Sequence, residues 1–429
     1  MSNWDKIRCP IYLGTFLSGA LGGYFAGRII GNAIGSKKKS KPERLLDSSN
    51  TDTIIVAKKY TSVDKEKLKE MKPVLNSPVP QSSGQIQSSP FPKPVGLKNF
   101  SRTCYFNSAL QCFSRLYPLT KLILSDDFPK MINSDPNGKW GTHGKVANAY
   151  REFLQQLSNA KTLFVPRKFK DVIGQCNPDF SSDQVEMDSQ EFLSYLLTTL
   201  EEDTLSNPNS FPDQHQSPIG NLVQGHFSTT LTCPHCGHTR QVQAPEKFEI
   251  LSLPIPQILK PSPNNQNNNS KKQEFLPVSL KDCLNDYMKG EVITDQKMEC
   301  SNCHSHVNVT KTNNIENTSD ILIVQLKRFR PIGYNNLGQP IHEKVKTPVS
   351  YPDVLESKDF TKDPQPKTYK LVGAVFHHGK GNDEGHYTAA ALDPISNQWY
   401  HFNDSILTKI NQNDAHNPQE AYMLFYQKQ

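Results

Sequence analysis

The sequence predicts an α+β fold with an amino-terminal transmembrane helix. Three observations predict it. From residue 104 to about 205, apolar residues recur at helical spacing, as at Val146, Tyr150, Phe153, Leu154 and Leu157. From about 223 onward strand-like runs take over, among them 321–326, 369–376 and 421–426. Ahead of both, residues 11–27 (IYLGTFLSGALGGYFAG) carry no charge.

The amino-terminal segment comes first. Allowing for Arg28, the apolar run continues to Ile34, and about 20 residues span a bilayer core. Gly19, Gly23, Gly27, Gly31 and Gly35 recur every fourth residue. On a helix they form one ridge where another helix can approach, which implies self-association through Gly19, Gly23, Gly27 and Gly31. In water each such glycine costs about 1 kcal/mol against Ala. Lipid removes the water that competes for the backbone. Lys37-Lys38-Lys39-Ser40-Lys41 follows and by the positive-inside rule holds the rest of the chain in the cytosol. A short apolar span with basic flanks fits a signal anchor of the mitochondrial outer membrane. The endoplasmic reticulum is the alternative; a cleaved secretory peptide and an interfacial tail rank behind both.

Residues 36–94 lack sustained periodicity, and Pro73, Pro78, Pro80, Pro90, Pro92 and Pro94 break any regular element. They read as a basic, proline-rich disordered linker whose ends average roughly 40–45 Å apart. A hydrophobic share of 35% is low for a compact globule and agrees with an unfolded portion. The net charge of +6 comes mainly from lysines near 37–41 and 58–72. No nucleic-acid motif accompanies it, so no nucleic-acid partner is expected. Nine cysteines, four of them in two C-x-x-C pairs, argue for a metal and a free thiol in a reducing compartment, and against a disulfide framework.

Asn99, Ser101, Arg102 and Thr103 lead into Cys104, and Tyr105, Leu110, Phe113 and Leu116 continue at helical spacing. A cysteine at a helix start meets free N–H groups and the positive dipole end, which favour a thiolate. Asn99, five residues upstream, can donate to an oxyanion. Pro166 opens a short helix. The run 188–203 predicts another, with Asp188 as N-cap, Glu191 closing a capping box and Phe192, Leu193, Leu196, Leu197 and Leu200 as its buried stripe.

Cys233, Cys236, Cys300 and Cys303 can offer four thiolates to one tetrahedral zinc, with strand-like runs at 223–232, 239–253 and 306–312 beside them. His235, His238, His304 and His306 are possible substitutes. Residues 261–273 (PSPNNQNNNSKKQ) read as a disordered insertion. The helix expected at 279–291 holds Cys283 as a core residue.

In the strand-rich end, Gly385 precedes His386 at a strand start, so the imidazole can face a cleft and act as general base to Cys104. His377 and His378, in the preceding turn, are weaker candidates. Asn403 follows seventeen residues after His386, a hairpin length that returns it beside the ring to hold the tautomer. Asp404 is second choice for that role.

Several of these runs resemble one family. G-L-x-N followed by T-C-Y-F-N-S-x-L-Q around Cys104 resembles the cysteine box of the ubiquitin-specific proteases. Met187–Leu193 resembles their acidic box, Ile321–Phe329 their L-x-L-K-R-F strand, and Ala421–Tyr426 their closing strand. Ser101 and Arg102 depart from the pattern, which has Gly and often Asn there. The resemblance implies a papain-like right hand over residues 95–429: a thumb at about 95–215, zinc-tipped fingers at about 220–320 and a palm at about 321–429. It further implies a structural Zn2+ in the fingers and hydrolysis of isopeptide bonds at the carboxy-terminal glycine of ubiquitin. Ubiquitin and ubiquitinated, membrane-associated proteins are the implied partners. The alternative is a ubiquitin-binding membrane tether with little or no turnover.

Overall fold

The computed structural model describes residues 91–207, 216–242, 245–260, 274–294, 297–334, 340–379, 381 and 385–429. The expected membrane helix at 1–35, nearly all of the linker and the insertion at 261–273 lie outside these residues. Among the described residues no helix is long and apolar enough to cross a membrane.

The first half is helical, as its spacing predicts: α1 (Cys104–Phe113), α2 (Tyr117–Leu124), α3 (Lys145–Asn159), α4 (Arg167–Cys176) and α5 (Ser189–Glu202). All ten residues of α1 are buried. A helix enclosed on every side must sit between layers, and α1 lies between α5 and a sheet. Phe106, Leu110 and Phe113 are fully buried, worth about 1.5–3 kcal/mol each. Phe106 packs 4.6 Å from Phe192 of α5 and 5.7 Å from Phe169 of α4, centroid to centroid.

Two helix starts differ from expectation. Pro166 is the N-cap of α4, one residue outside the helix. At α5 the cap is Asp188, which accepts from the Gln190 N–H at 2.6 Å, but Glu191 does not complete the box. Asp188's other oxygen accepts from the Tyr422 hydroxyl, 2.6 Å away on the last strand, so the cap is also a tertiary contact. A full capping box forms instead between Ser279 and Asp282 at the start of α6 (Leu280–Met288), where Cys283 is core.

Strands β1 (Gly225–Thr232), β2 (Ile250–Leu253), β3 (Thr310–Asn317), β4 (Ile321–Leu326), β5 (Thr368–Gly379), β6 (Gly385–Asp393), β7 (Gln398–Asn403), β8 (Ile406–Ile410) and β9 (Ala421–Lys428) carry the sheets. Among the described residues β1 and β3 are the centre of a five-stranded sheet with the short strands 239–241, 246–248 and 291–292. An eight-stranded sheet runs in the order β8-β7-β6-β5-β9-β4-β2, with 354–356 beside β5. Its pairs are antiparallel except β4 with β2. Thus 250–253, within the stretch expected to form fingers, joins the larger sheet.

Arg328, just past β4, is fully buried and donates to the carbonyls of Val345, Thr347, Pro418 and Ala421. Lys344 pairs with Glu420 and donates to the His377 carbonyl at 2.6 Å. These two cations tie β5 and β9 to the chain that follows strand 340–344 and to the turn at 418.

Candidate active site

Cys104 is the first residue of α1, behind the N-cap Thr103. On β6 the imidazole of His386 faces it. β6 and β7 pair so that Ala389 opposes Phe402, which returns Asn403 to the ring: His386 Nε2 donates to Asn403 Oδ1 at 2.7 Å. A carbonyl oxygen only accepts, so Nε2 carries a proton and Nδ1 is the nitrogen left to share a second proton with the sulfur. The imidazole is pushed up to about 9, first by its hydrogen bond with Cys104, then, against the opposing effect of burial, by Asn403. Thiol, base and orienting amide, far apart in the chain, meet at one place, the arrangement that nucleophilic attack on a carbonyl needs.

The other two histidines are engaged elsewhere. His378 opposes His386 across the strands and bonds Thr388 Oγ1 at 2.9 Å. His377 is fully buried, and burial pushes it down to about 3. The space that Gly385 leaves is not open to the cleft. A Cβ there would lie 2.1 Å from His377 Nε2, so the glycine makes room for that ring.

Asp404 takes a different part from the one its position suggests. Its carboxylate reaches His386 Nε2 only at 3.9 Å. Instead Oδ2 accepts from Asn99 Nδ2 at 2.8 Å and Oδ1 from Asn107 Nδ2 at 2.8 Å. Two amides compete successfully because Asp404 sits in a left-handed turn, φ 50°, that aims it at the thumb. Asn99 Oδ1 in turn accepts from the N–H groups of Ser101 and Thr103, each at 3.0 Å. One Nδ2 hydrogen of Asn99 is therefore committed to Asp404, and the second makes no hydrogen bond among the described residues. Asn107 lies within the cysteine box, but its role is not legible there because its partner lies 297 positions away. Its recurrence with Gln111 and Arg115 at intervals of four is the signal that could have found it.

Ser101 adopts φ 120°, a region that favours glycine. The chain holds it there from the next loop: Arg102 N–H donates to the Asp183 carbonyl at 3.0 Å, Arg102 pairs with Glu186 at 3.4 Å and Ser101 Oγ meets Gln184 at 3.4 Å.

The two cysteine pairs fold into matching knuckles. Gly237 N–H donates to Cys233 carbonyl at 2.9 Å and His304 N–H to Cys300 carbonyl at 2.8 Å, with Gly237 and His304 both left-handed. The four sulfurs lie within 4.8 Å of one another, with Cys233–Cys303 at 3.9 Å and Cys236–Cys300 at 3.6 Å. Tetrahedral zinc with bonds of about 2.3 Å sets its sulfurs about 3.8 Å apart, so the donor set fits. Three of the four histidines are occupied otherwise: His235 with Ser305, His238 with Ser301 and His304 with Glu299; His306 is not among the residues whose ligand atoms cluster with the four sulfurs.

A family model described as ubiquitin carboxyl-terminal hydrolase matches residues 95–426. Ubiquitin carboxyl-terminal hydrolase 2 of Homo sapiens is 28% identical over 360 residues, covering 78% of this chain and 55% of that one. Ubiquitin carboxyl-terminal hydrolase 4 of Saccharomyces cerevisiae is 29% identical over 382 residues, covering 78% of this chain and 39% of that one. The chain thus spans about half the length, or less, of these relatives. Among solved structures, the SAGA Ubp8/Sgf11/Sus1/Sgf73 DUB module bound to ubiquitin aldehyde aligns with TM-score 0.59 at 22% identity, over 89% of this chain and 76% of that one. At that identity the likeness concerns the fold.

A non-glycine residue held at positive φ costs on the order of 1–3 kcal/mol. Ser101→Gly is expected to raise the thermal unfolding midpoint by about 2–4 °C, measured by calorimetry. A fall in the midpoint would mean that the contact with Gln184 outweighs the strain.

Proposed function

Because the chain belongs to the ubiquitin carboxyl-terminal hydrolase family, we propose that it is a thiol-dependent deubiquitinase, cleaving isopeptide bonds after the carboxy-terminal glycine of ubiquitin. The observation that carries this is the convergence of Cys104, His386 and Asn403, with His386 bound to Asn403, within a domain of that family. His386 Nδ1 takes the proton from Cys104, and the sulfur attacks the carbonyl carbon. The resulting oxyanion is met by the remaining N–H of Asn99 and the backbone N–H of Cys104. As the intermediate collapses, the lysine amine leaves with the proton that His386 carried. Water, deprotonated by His386, then attacks the thioester and regenerates the thiol. Asp404 holds Asn99 and stands behind the reaction. We assign the thumb, fingers and palm to residues 95–429 on the same basis.

A ubiquitin probe with a carboxy-terminal electrophile is expected to form one covalent adduct with the wild type and none with Cys104→Ala. The absence of an adduct with the wild type would favour the second reading, a ubiquitin-binding tether with little turnover, which the strained Ser101 motivates.

The four-thiolate cluster supports a structural zinc at the tip of the fingers. It would hold the two knuckles together without touching the reacting atoms. One zinc per chain is expected by elemental analysis, and Cys233→Ser with Cys300→Ser should abolish it and lower the unfolding midpoint. A protein that purifies without metal and is indifferent to these changes would remove the assignment.

The uncharged run at 11–27 with its basic flank supports a membrane anchor that keeps the domain in the cytosol, at the mitochondrial outer membrane or alternatively the endoplasmic reticulum. Deleting residues 1–35 is expected to move the protein from the membrane fraction to the soluble one; retention on membranes would refute the anchor.

A further inference from the structure

We propose that residues 91–99 form a strap that positions Asn99, and that Arg115 is a positioning residue for the reaction, acting through that strap. The inference rests on the reading of Asn99 as an oxyanion donor and adds how it is held.

Three polar side chains project from α1 and its continuation at intervals of four: Asn107, Gln111 and Arg115. Each donates to an alternate carbonyl of the strap. Asn107 Nδ2 reaches Leu97 at 3.4 Å, Gln111 Nε2 reaches Val95 at 2.9 Å and Arg115 Nη2 reaches Lys93 at 3.1 Å. The match is geometric. Four helical residues advance about 6.0 Å, and two extended residues advance about 6.6 Å, so a chain running antiparallel to the helix stays in step over three rungs. The intervening residues turn the other way: the Gly96 carbonyl accepts from Phe164 N–H and Lys98 N–H donates to the Phe164 carbonyl, both at 2.9 Å.

The two ends of this ladder differ. At the catalytic end, Asn107 also binds Asp404, which binds Asn99. Leu97 N–H donates to the Asp404 carbonyl at 2.8 Å. Gly96 lies so close that a Cβ would fall 2.3 Å from the Ser405 carbonyl oxygen. At the far end, Phe91 stacks on Tyr117 at 5.6 Å.

Arg115 is the rung that needs a reason. It is 1% exposed and no carboxylate pairs with it in a salt bridge among the described residues. Its guanidinium is spent on the Gln111 carbonyl, Gln111 Oε1, Ser114 Oγ and the Lys93 carbonyl, with Nε unbonded. It also lies over the ring of Phe402 at 4.6 Å, next to Asn403. Burying an unpaired cation is costly. Stability alone would favour an apolar residue here, whereas holding strap, helix and β7 in register requires a branched donor.

The test uses the full chain and a ubiquitin with a fluorogenic carboxy-terminal amide. Arg115→Met is expected to lower kcat about tenfold to a hundredfold by displacing the strap. KM and the rate at which iodoacetamide alkylates Cys104, which forms no oxyanion, should stay within about twofold. In an Asn99→Ala background Arg115→Met should cost nothing further, since the group it positions is gone. If Arg115→Met does not fold, Phe91→Ala carries the same test with a smaller loss in kcat. An unchanged kcat in the variant that folds, or an equal loss with and without Asn99, would overturn the inference. An Asn99→Ala enzyme with undiminished kcat would instead remove the oxyanion reading beneath it, a separate result from the same series.

Discussion

One carboxylate joins the parts of this protein that chemistry requires together. Asp404 accepts from Asn99 on the loop before Cys104 and from Asn107 on the helix that begins with Cys104. It follows Asn403, which holds His386. Asp404 thereby locks the helical half to the sheet half at the one position where thiol and imidazole must meet. A charged acceptor between two amides is stronger than a neutral one, and at a largely buried side chain losing either amide would leave unmet polar demand. The proximity of Cys104 and His386 follows from that join.

The same device recurs with opposite sign. Arg115 and Arg328 are buried, form no salt bridge among the described residues, and donate to backbone carbonyls, Arg328 with all four of its bonds and Arg115 with two. Burial lowers both to about 10, which leaves them charged at neutral pH. Arg115 joins α1 to chain with which it has no β-ladder, and Arg328 joins the end of β4 to the chain at 345–347 and the turn at 418. In a sheet domain with long excursions between strands, a planar multi-donor group can satisfy three or four carbonyls that would otherwise be stranded. Desolvating the cation is the cost, and fixing irregular chain close to the site is the return.

Ser101 shows the opposite economy. A backbone shape suited to glycine is retained with a side chain in place, and the loop at 183–186 holds it from outside through Arg102 and Gln184. The two departures from the family's wording are thus one structural unit: the residue that strains the turn and the residue that clamps it are neighbours.

Much of the architecture is legible along the chain because it depends on local periodicity. The helix of Phe192, Leu196 and Leu200, the strand 321–326 and the cysteine pairs repeat at the spacings of their elements, and α5, β4 and the knuckles appear there. Cys104, His386 and Asn403 were readable as a set because motif order and hairpin length constrain them. Other features required the folded molecule. The cap Asp188 also binds a tyrosine on the last strand, Asp404 turns from the imidazole to two distant amides, and Gly385 admits a histidine where an open cleft was expected. The physical reason is range. Spacing encodes which face of an element is buried, but the partner of a polar group is chosen among groups hundreds of residues away, and only tertiary packing decides which of them arrives within 3 Å.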